Sequence, residues 1–187
     1  GVMVPQGYGT SGLNSMEITE EGTEKFVQVA DWRIRYHDAG EGHPVILLHG
    51  SGPGATAWSN FGPNIKVLSR KYRVIAPDFP GWGKSDIFDP DKGARFTVNM
   101  EVVVGLMDAL KLDRAAVVGN SMGGIGSQML AAFHPDRISH CITMGAPAPG
   151  GPQLFYQPVG LTEGFKILFE SYRDPSETNM RRLVEIM

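Results

Sequence analysis

Gly119-Asn120-Ser121-Met122-Gly123 places a serine between two glycines, where the apolar run Ala115–Val118 gives way to a helical pattern over Met122–Phe133. A serine hydroxyl is a weak nucleophile until a base takes its proton and N–H groups stabilise the oxygen charge that develops in the reaction. G-x-S-x-G meets the steric part of that need. The strand-to-helix turn is so sharp that the serine adopts a strained backbone, and side chains two residues to either side would collide; glycines at 119 and 123 remove both collisions. The helix that follows offers unpaired N–H groups and a partial positive charge at its first turn. The chemistry implied is attack by Ser121 on a carbonyl, with the N–H of Met122 facing the oxyanion.

A second stretch, "VILLHGSGPGATAWSNF" (45–61), is a buried-strand pattern ending at His49-Gly50 and followed by a glycine-rich loop. Such a loop brings another backbone N–H to the reaction centre, the donor being Ser51, with Gly52 as the alternative. Glycine-rich loops also cradle phosphates, but no lysine closes this one. "DFPGWGKS" (78–85) ends like a phosphate-binding loop, yet Asp78 stands where that motif requires glycine, so a nucleotide-binding reading fails.

Short apolar runs bounded by glycine and proline supply the elements that must carry these groups. Lys25–Ala30 and Trp32–His37 predict an antiparallel pair; Val45–Leu48, Val74–Ala76, Ala115–Val118 and Ile138–Met144, apolar on both alternations, predict buried parallel strands. Between them, Val98, Val102, Leu106, Ala109 and Leu110 share a helical face with Thr97 as N-cap. Gly62-Pro63 predicts that the helix after Trp58 starts late, near Pro63. Strands alternating with helices give a doubly wound α/β sheet. After Met144 comes a loop, then one amphipathic helix marked by Phe165, Leu168, Phe169 and Tyr172, and a second carrying Met180, Leu183, Val184 and Met187. That helix has no stop signal, so the chain is expected to finish in mid-helix.

Composition excludes several classes. A net charge of −3 with scattered Lys and Arg gives no footprint for nucleic acid. No apolar run reaches the roughly 18 residues of a membrane span, and the opening residues lack the charged and apolar regions of a secretory signal. Cys141 has no second cysteine to pair with and sits in an apolar run, so a buried, inert thiol in a reducing cytoplasm is expected. No metal-ligand or cofactor pattern is present, and none is expected.

With the serine turn, the His-Gly loop and "VIAPDFPGWGKSD" in order, the chain resembles the α/β-hydrolase superfamily. Within it, "LLHGSGPGATAWSNF", "GNSMGG" and "GLTEGFKILFESYRDPS" are similar to the meta-cleavage product hydrolases, which hydrolyse a carbon–carbon bond in bacterial aromatic-ring catabolism. The resemblance implies the N-terminal part of the doubly wound, mostly parallel α/β-hydrolase sheet plus the start of a helical lid. It divides the chain into a flexible leader (1–24), a core (25–147) and an incomplete lid (148–187). It implies Ser121 as nucleophile, Ser51 and Met122 as oxyanion-hole amides, and Asn60 and Asn120 as holders of the carboxylate and adjacent oxygen of a 2-hydroxy-6-oxo-hexa-2,4-dienoate-type substrate. Turn or capping chemistry is the plainer reading of the two asparagines. Acyl-enzyme formation and activation of water both remain open mechanisms.

The superfamily places its acid and then its histidine after the serine. Only His134 and His140 follow Ser121. His134 lies at the far end of the helix that begins at the serine, about 20 Å away at about 1.5 Å per residue, where it suits the helix C-terminus. His140 is on the wrong edge of the sheet, His37 and His43 flank the turn after the second strand, and His49 suits a brace for its own loop better than a makeshift base. No carboxylate follows the strand after the serine helix, in "TMGAPAPGG", and Asp78 and Asp86 read as braces of the "PGWGKS" loop. The expectation is therefore a part of a longer hydrolase, inactive alone, with an exposed apolar sheet edge that favours homo-oligomerisation or association with the remainder of the protein. An esterase on the same fold and a non-catalytic binding module are the alternatives. A dehalogenase or epoxide hydrolase would need aspartate where Ser121 stands.

Overall fold

Six of the apolar segments pair into one sheet in a computed structural model that describes residues 17–146, 163–174 and 176–186. The strands are β1 (Glu24–Val29), β2 (Trp32–Ala39), β3 (Pro44–Leu48), β4 (Arg73–Pro77), β5 (Ala115–Asn120) and β6 (Ile138–Met144), in the spatial order β1-β2-β4-β3-β5-β6. The first two pairings, β1 with β2 and β2 with β4, are antiparallel; β4, β3, β5 and β6 run parallel. Three crossover helices join the parallel strands: α2 (Ala57–Leu68), α3 (Arg95–Ala109) and α4 (Met122–Phe133). One turn, α1 (Glu20–Thr23), precedes β1, and two helices, α5 (Glu163–Arg173) and α6 (Glu177–Ile186), follow β6 and pack on each other. Among the described residues no helix is long and apolar enough to cross a membrane.

The two-residue alternation of the strands divides the core. Val45, Leu47, Val74 and Ala76 face Ala57, Phe61 and Ile65 of α2, while Ile46, Leu48, Ile75 and Val117 face Val98, Val102 and Leu106 of α3 and Leu130 of α4. Each of the Val, Leu, Ile and Phe side chains among them, fully buried, contributes about 1.5–3 kcal/mol. The connection leaving β3 turns toward β4, and that leaving β5 turns toward β6, so the strand order switches between β3 and β5. A crevice at the carboxyl ends of two such strands is where open α/β sheets place ligands. His49–Thr56 and Ser121 lie there.

Helix α2 begins at Ala57, not near Pro63. Thr56 caps it: its Oγ1 accepts the Ser59 N–H at 2.9 Å, and Ser59 Oγ accepts the Thr56 N–H at 2.8 Å. This capping box nucleates the helix ahead of the proline. Pro63 then forfeits only the bond to the carbonyl of Ser59, an exposed residue. Thr97 is likewise not a cap; α3 starts at Arg95, after Ala94, because the Arg95 side chain is anchored on the Pro80 carbonyl and between the rings of Trp82 and Phe88. Strand β6 is not buried on both faces. Only Ile138 is, and Cys141, expected inside, is exposed, because β6 is the edge strand of the described sheet. Its Sγ still reaches the Ser127 carbonyl of α4 at 3.4 Å.

Part of the stretch read as a leader is fastened down. Glu20 and Glu24 both grip Arg35 of β2, at 2.7 Å and 2.5 Å, and the guanidinium, only 1% exposed, also donates to Asp78 at 3.1 Å. Burial alone would depress the Arg35 pKa; the bonds to Glu20 and Asp78 reverse this and hold it above the ordinary arginine value. Residues 1–16 and 147–162, including most of the expected leader and the loop before α5, lie outside the described residues.

Two outcomes follow from these buried charges. R35A leaves Asp78 buried without its cation, so urea unfolding is expected to show a loss of about 3–5 kcal/mol; a loss below about 1 kcal/mol would contradict that role. His37 is fully buried, bonded through Nδ1 to Thr23 Oγ1 at 2.9 Å, and its Nε2 has no partner. Burial, then the nearby Arg35 charge, pushes its pKa below 6.5. The unfolded chain therefore binds a proton that the folded chain refuses, and stability present above about pH 6.5 falls as pH drops toward the folded-state value. Unfolding midpoints measured from pH 7.5 to 5 are expected to fall less steeply for H37F than for the wild type; parallel curves would exclude the His37 contribution.

Candidate active site

Ser121 sits at the end of β5 with φ 52° and ψ −112°, a conformation that costs a non-glycine residue about 1–3 kcal/mol. Its surroundings hold it there. The Ser121 N–H donates to the Met144 carbonyl at the end of β6 at 2.7 Å. A Cβ on Gly119 would stand 2.1 Å from the Gly123 carbonyl oxygen, and one on Gly123 would stand 2.0 Å from that of Leu48. The first turn of α4 is thus pressed against the end of β3 as closely as backbone allows. Met122 is buried and is the first residue of α4, so its N–H has no acceptor within the helix.

The loop after β3 reaches the same place. A Cβ on Gly50 would lie 3.4 Å from Ser121 Cβ and 3.2 Å from Asn120 Nδ2. His49, fully buried, holds this turn with both ring nitrogens: Nε2 accepts the Phe79 N–H at 3.0 Å and Nδ1 donates to the Gly50 carbonyl at 2.7 Å. The Phe79 N–H can only donate, which fixes the tautomer with the proton on Nδ1. Burial pushes the His49 pKa down, so the ring stays neutral. With both nitrogens engaged it has no lone pair for Ser121, and His49 is a brace, not a makeshift base.

Asn60, in the first turn of α2, completes the junction. Its Oδ1 accepts from the Gly50 N–H at 3.0 Å and from Asn120 Nδ2 at 3.2 Å. Ser51 and Gly52 line an open cleft of about 430 Å³ with Pro53, Gly54, Gly81 and Trp82. Ser121 is not in the wall of that cleft; Gly50 links the two. The structure therefore gathers Ser121, Met122, Asn120, Asn60 and Gly50 at one point and sets Ser51 and Gly52 beside it.

Sequence reasoning missed two residues that shape the cleft. Trp82 donates from Nε1 to the Gly52 carbonyl at 3.3 Å, and the Arg95 guanidinium stacks 4.6 Å from the Trp82 ring and 3.4 Å from that of Phe88. The tryptophan in "PGWGKS" was the available signal, since an indole in a glycine-rich turn needs both a packing surface and an acceptor. Asp78 and Asp86 are braces as read: Asp78 accepts the Ala57 N–H at 2.7 Å, and Asp86 accepts the Arg33 N–H at 2.7 Å.

None of the five histidines, all among the described residues, serves Ser121. His37 bonds to Thr23, His43 and His140 bond to Ser139, His49 is occupied, and His134 closes the far end of α4. Among the described residues no group of three or more His, Cys, Asp or Glu could hold a metal ion.

Comparisons with known proteins bear on the family and the fold. The family described as alpha/beta hydrolase fold matches residues 43–174. The chain is 43% identical over 179 residues to a 2-hydroxy-6-oxononadienedioate/2-hydroxy-6-oxononatrienedioate hydrolase of Cupriavidus pinatubonensis, covering 92% of this chain and 61% of that protein. It is 42% identical over 176 residues to a 2-hydroxy-6-oxo-6-phenylhexa-2,4-dienoate hydrolase of Comamonas testosteroni, covering 91% and 60%. Its fold superposes on that of a meta-cleavage product hydrolase from Pseudomonas fluorescens with a TM-score of 0.73 at 36% identity, over 87% of this chain and 56% of that one. The chain thus spans about 60% of the length of the curated relatives it matches.

The packing at the serine turn predicts opposite outcomes for two glycines of one helix. G123A drives a methyl into the Leu48 carbonyl and is expected to destabilise by about 1–3 kcal/mol or more. At Gly126 the nearest atom to an added Cβ, Leu48 Cδ1, is 3.9 Å away, so G126A is expected to stabilise by about 0.5–1 kcal/mol through helix propensity. Equal effects in thermal unfolding would mean that the close approach of α4 to β3 does not exist.

Proposed function

We propose, for a chain that belongs to the α/β-hydrolase fold family, that the protein hydrolyses a carbon–carbon bond in a 2-hydroxy-6-oxo-hexa-2,4-dienoate-type product of aromatic-ring meta-cleavage. The observation that carries this reading is Ser121, held at φ 52° beside Gly50 of the loop after β3. The relatives named above as dienoate hydrolases favour it over other carbonyl substrates.

In this reading the dienol substrate ketonises, and the C6 carbonyl is attacked by Ser121 Oγ or by a water that the serine activates. Oxygen charge that develops at C6 is met by the N–H groups of Met122 and of Ser51, with Gly52 as the alternative donor. Such donors, fixed before the reaction begins, are each worth about 10²–10³ in rate. Cleavage of the C5–C6 bond, with one water added overall, leaves a carboxylic acid and a hydroxydienoate. Asn60 and Asn120 hold the carboxylate end. A cytoplasmic location, a small dienoate as the only substrate partner and self-association of the protein belong to the same proposal.

The test uses the full-length protein, because no histidine of this chain reaches Ser121; the isolated 187-residue chain is expected to show no turnover. Mixing the full-length protein with the phenyl-substituted dienoate and with the nonadienedioate should bleach the dienolate absorbance of at least one. S121A should lower kcat by about 10³-fold or more. Turnover of an aryl ester faster than of either dienoate would replace this reading with that of an esterase.

A further inference from the structure

We propose that Asn60 is a positioning residue that locks the loop after β3 to the nucleophile turn through one shared oxygen. The inference rests on the reading that this loop supplies an oxyanion donor. Gly50 N–H is a pure donor, so the group 3.0 Å from it must be Asn60 Oδ1 and not Nδ2. That choice fixes the plane of the Asn60 amide. It then dictates that Asn120 present its own Nδ2, at 3.2 Å, to the same oxygen. One acceptor therefore sets two things: the tilt of the His49–Gly50 peptide and the rotamer of the residue preceding Ser121.

The consequence passes along the backbone. The donor proposed for the oxyanion, Ser51 N–H, is the next amide after Gly50, so rotation of the Gly50 peptide swings it directly. Gly50 lies next to the serine turn: a methyl added there would meet Asn120 Nδ2 at 3.2 Å and Ser121 Cβ at 3.4 Å. Rotation and retreat are opposed by the Asn60 bond at the Gly50 N–H and by the His49 Nδ1 bond at the Gly50 carbonyl. Asn60 is itself well fixed. Its N–H donates to the Thr56 carbonyl at 3.1 Å, and the first turn of α2 is held by the Thr56–Ser59 box and by the bond from Ala57 N–H to buried Asp78. Of the Asn60 amide, the oxygen has this work, while Nδ2 is left for the substrate. A residue that only gripped substrate would have no need to accept from Gly50.

Substrate grip and loop positioning separate with an uncharged ester, p-nitrophenyl acetate, which has no carboxylate to be held. In the full-length protein N60A is expected to lower kcat on this ester by about 10²-fold, the effect of a small misplacement of a catalytic donor, with KM little changed. Hydrogen exchange of the Gly50 amide, referenced to the core amide of Leu47, should quicken at least tenfold in N60A and stay slow in N60D, whose carboxylate still accepts from Gly50. The exchange measurement needs no turnover. Unchanged Gly50 exchange in N60A, or unchanged ester kcat, would overturn the proposal and leave Asn60 as a substrate contact alone. If the wild type cleaves the ester but neither dienoate, the carbon–carbon reading falls while this test still reads out.

Discussion

The site depends on one close approach, the first turn of α4 against the end of β3. A Cβ on Gly123 would stand 2.0 Å from the Leu48 carbonyl oxygen, so only glycine lets the helix lie this near. That contact forces the chain leaving β5 to turn within a single residue, and Ser121 is that residue. Its left-handed φ is a consequence of packing, stored as strain and maintained by the Met144 carbonyl on one side and Gly50 on the other. The same contact brings the two strand ends of the switch point together, so the loop that follows β3 faces the serine without any further device.

Holding that loop is a separate problem, solved with buried polar groups. Asp78 is fully buried at the end of β4, where it accepts from the first turn of α2 and from Arg35, which in turn is gripped by Glu20 and Glu24. One residue later, the Phe79 N–H fixes His49. A buried carboxylate and a buried imidazole thus make the position of the loop depend on β4, and through Arg35 on β2. Isolated, such groups would be costly to bury; paired and hydrogen-bonded they make a loop as well defined as a strand. The tie through Glu20 also explains why the turn before β1 is ordered.

Much of this was legible in the residues because the rules that govern it are local. The glycines flanking Ser121 announce a turn that only they permit, and the apolar runs between glycines and prolines give the strands to within a few residues. What was not legible depends on groups distant in the chain. Pro63 looks like the start of α2 only until Asp78, fifteen residues beyond it, is seen to receive the Ala57 N–H. Thr97 is a suitable cap by type, yet the stacking of Arg95 on Trp82 and Phe88 fixes an earlier start. Cys141 is apolar in its neighbours and exposed in fact, since burial of a strand depends on what pairs beyond it, which no property of the strand encodes. The double acceptance at Asn60 belongs to the same kind, joining residues ten and sixty positions away.

The arrangement separates two tasks that serine chemistry requires. In the proposed reading, presenting the nucleophile and placing N–H groups around an oxyanion fall to the ends of β3 and β5. Taking the proton from Ser121 requires a base with a free lone pair, and the one histidine at the site has spent both nitrogens on the turn that carries the oxyanion loop. His49 could serve as base only by releasing the Phe79 N–H, and that would loosen the loop whose placement makes attack worthwhile. Geometry and proton transfer therefore compete for the same imidazole. The structure resolves the competition in favour of geometry.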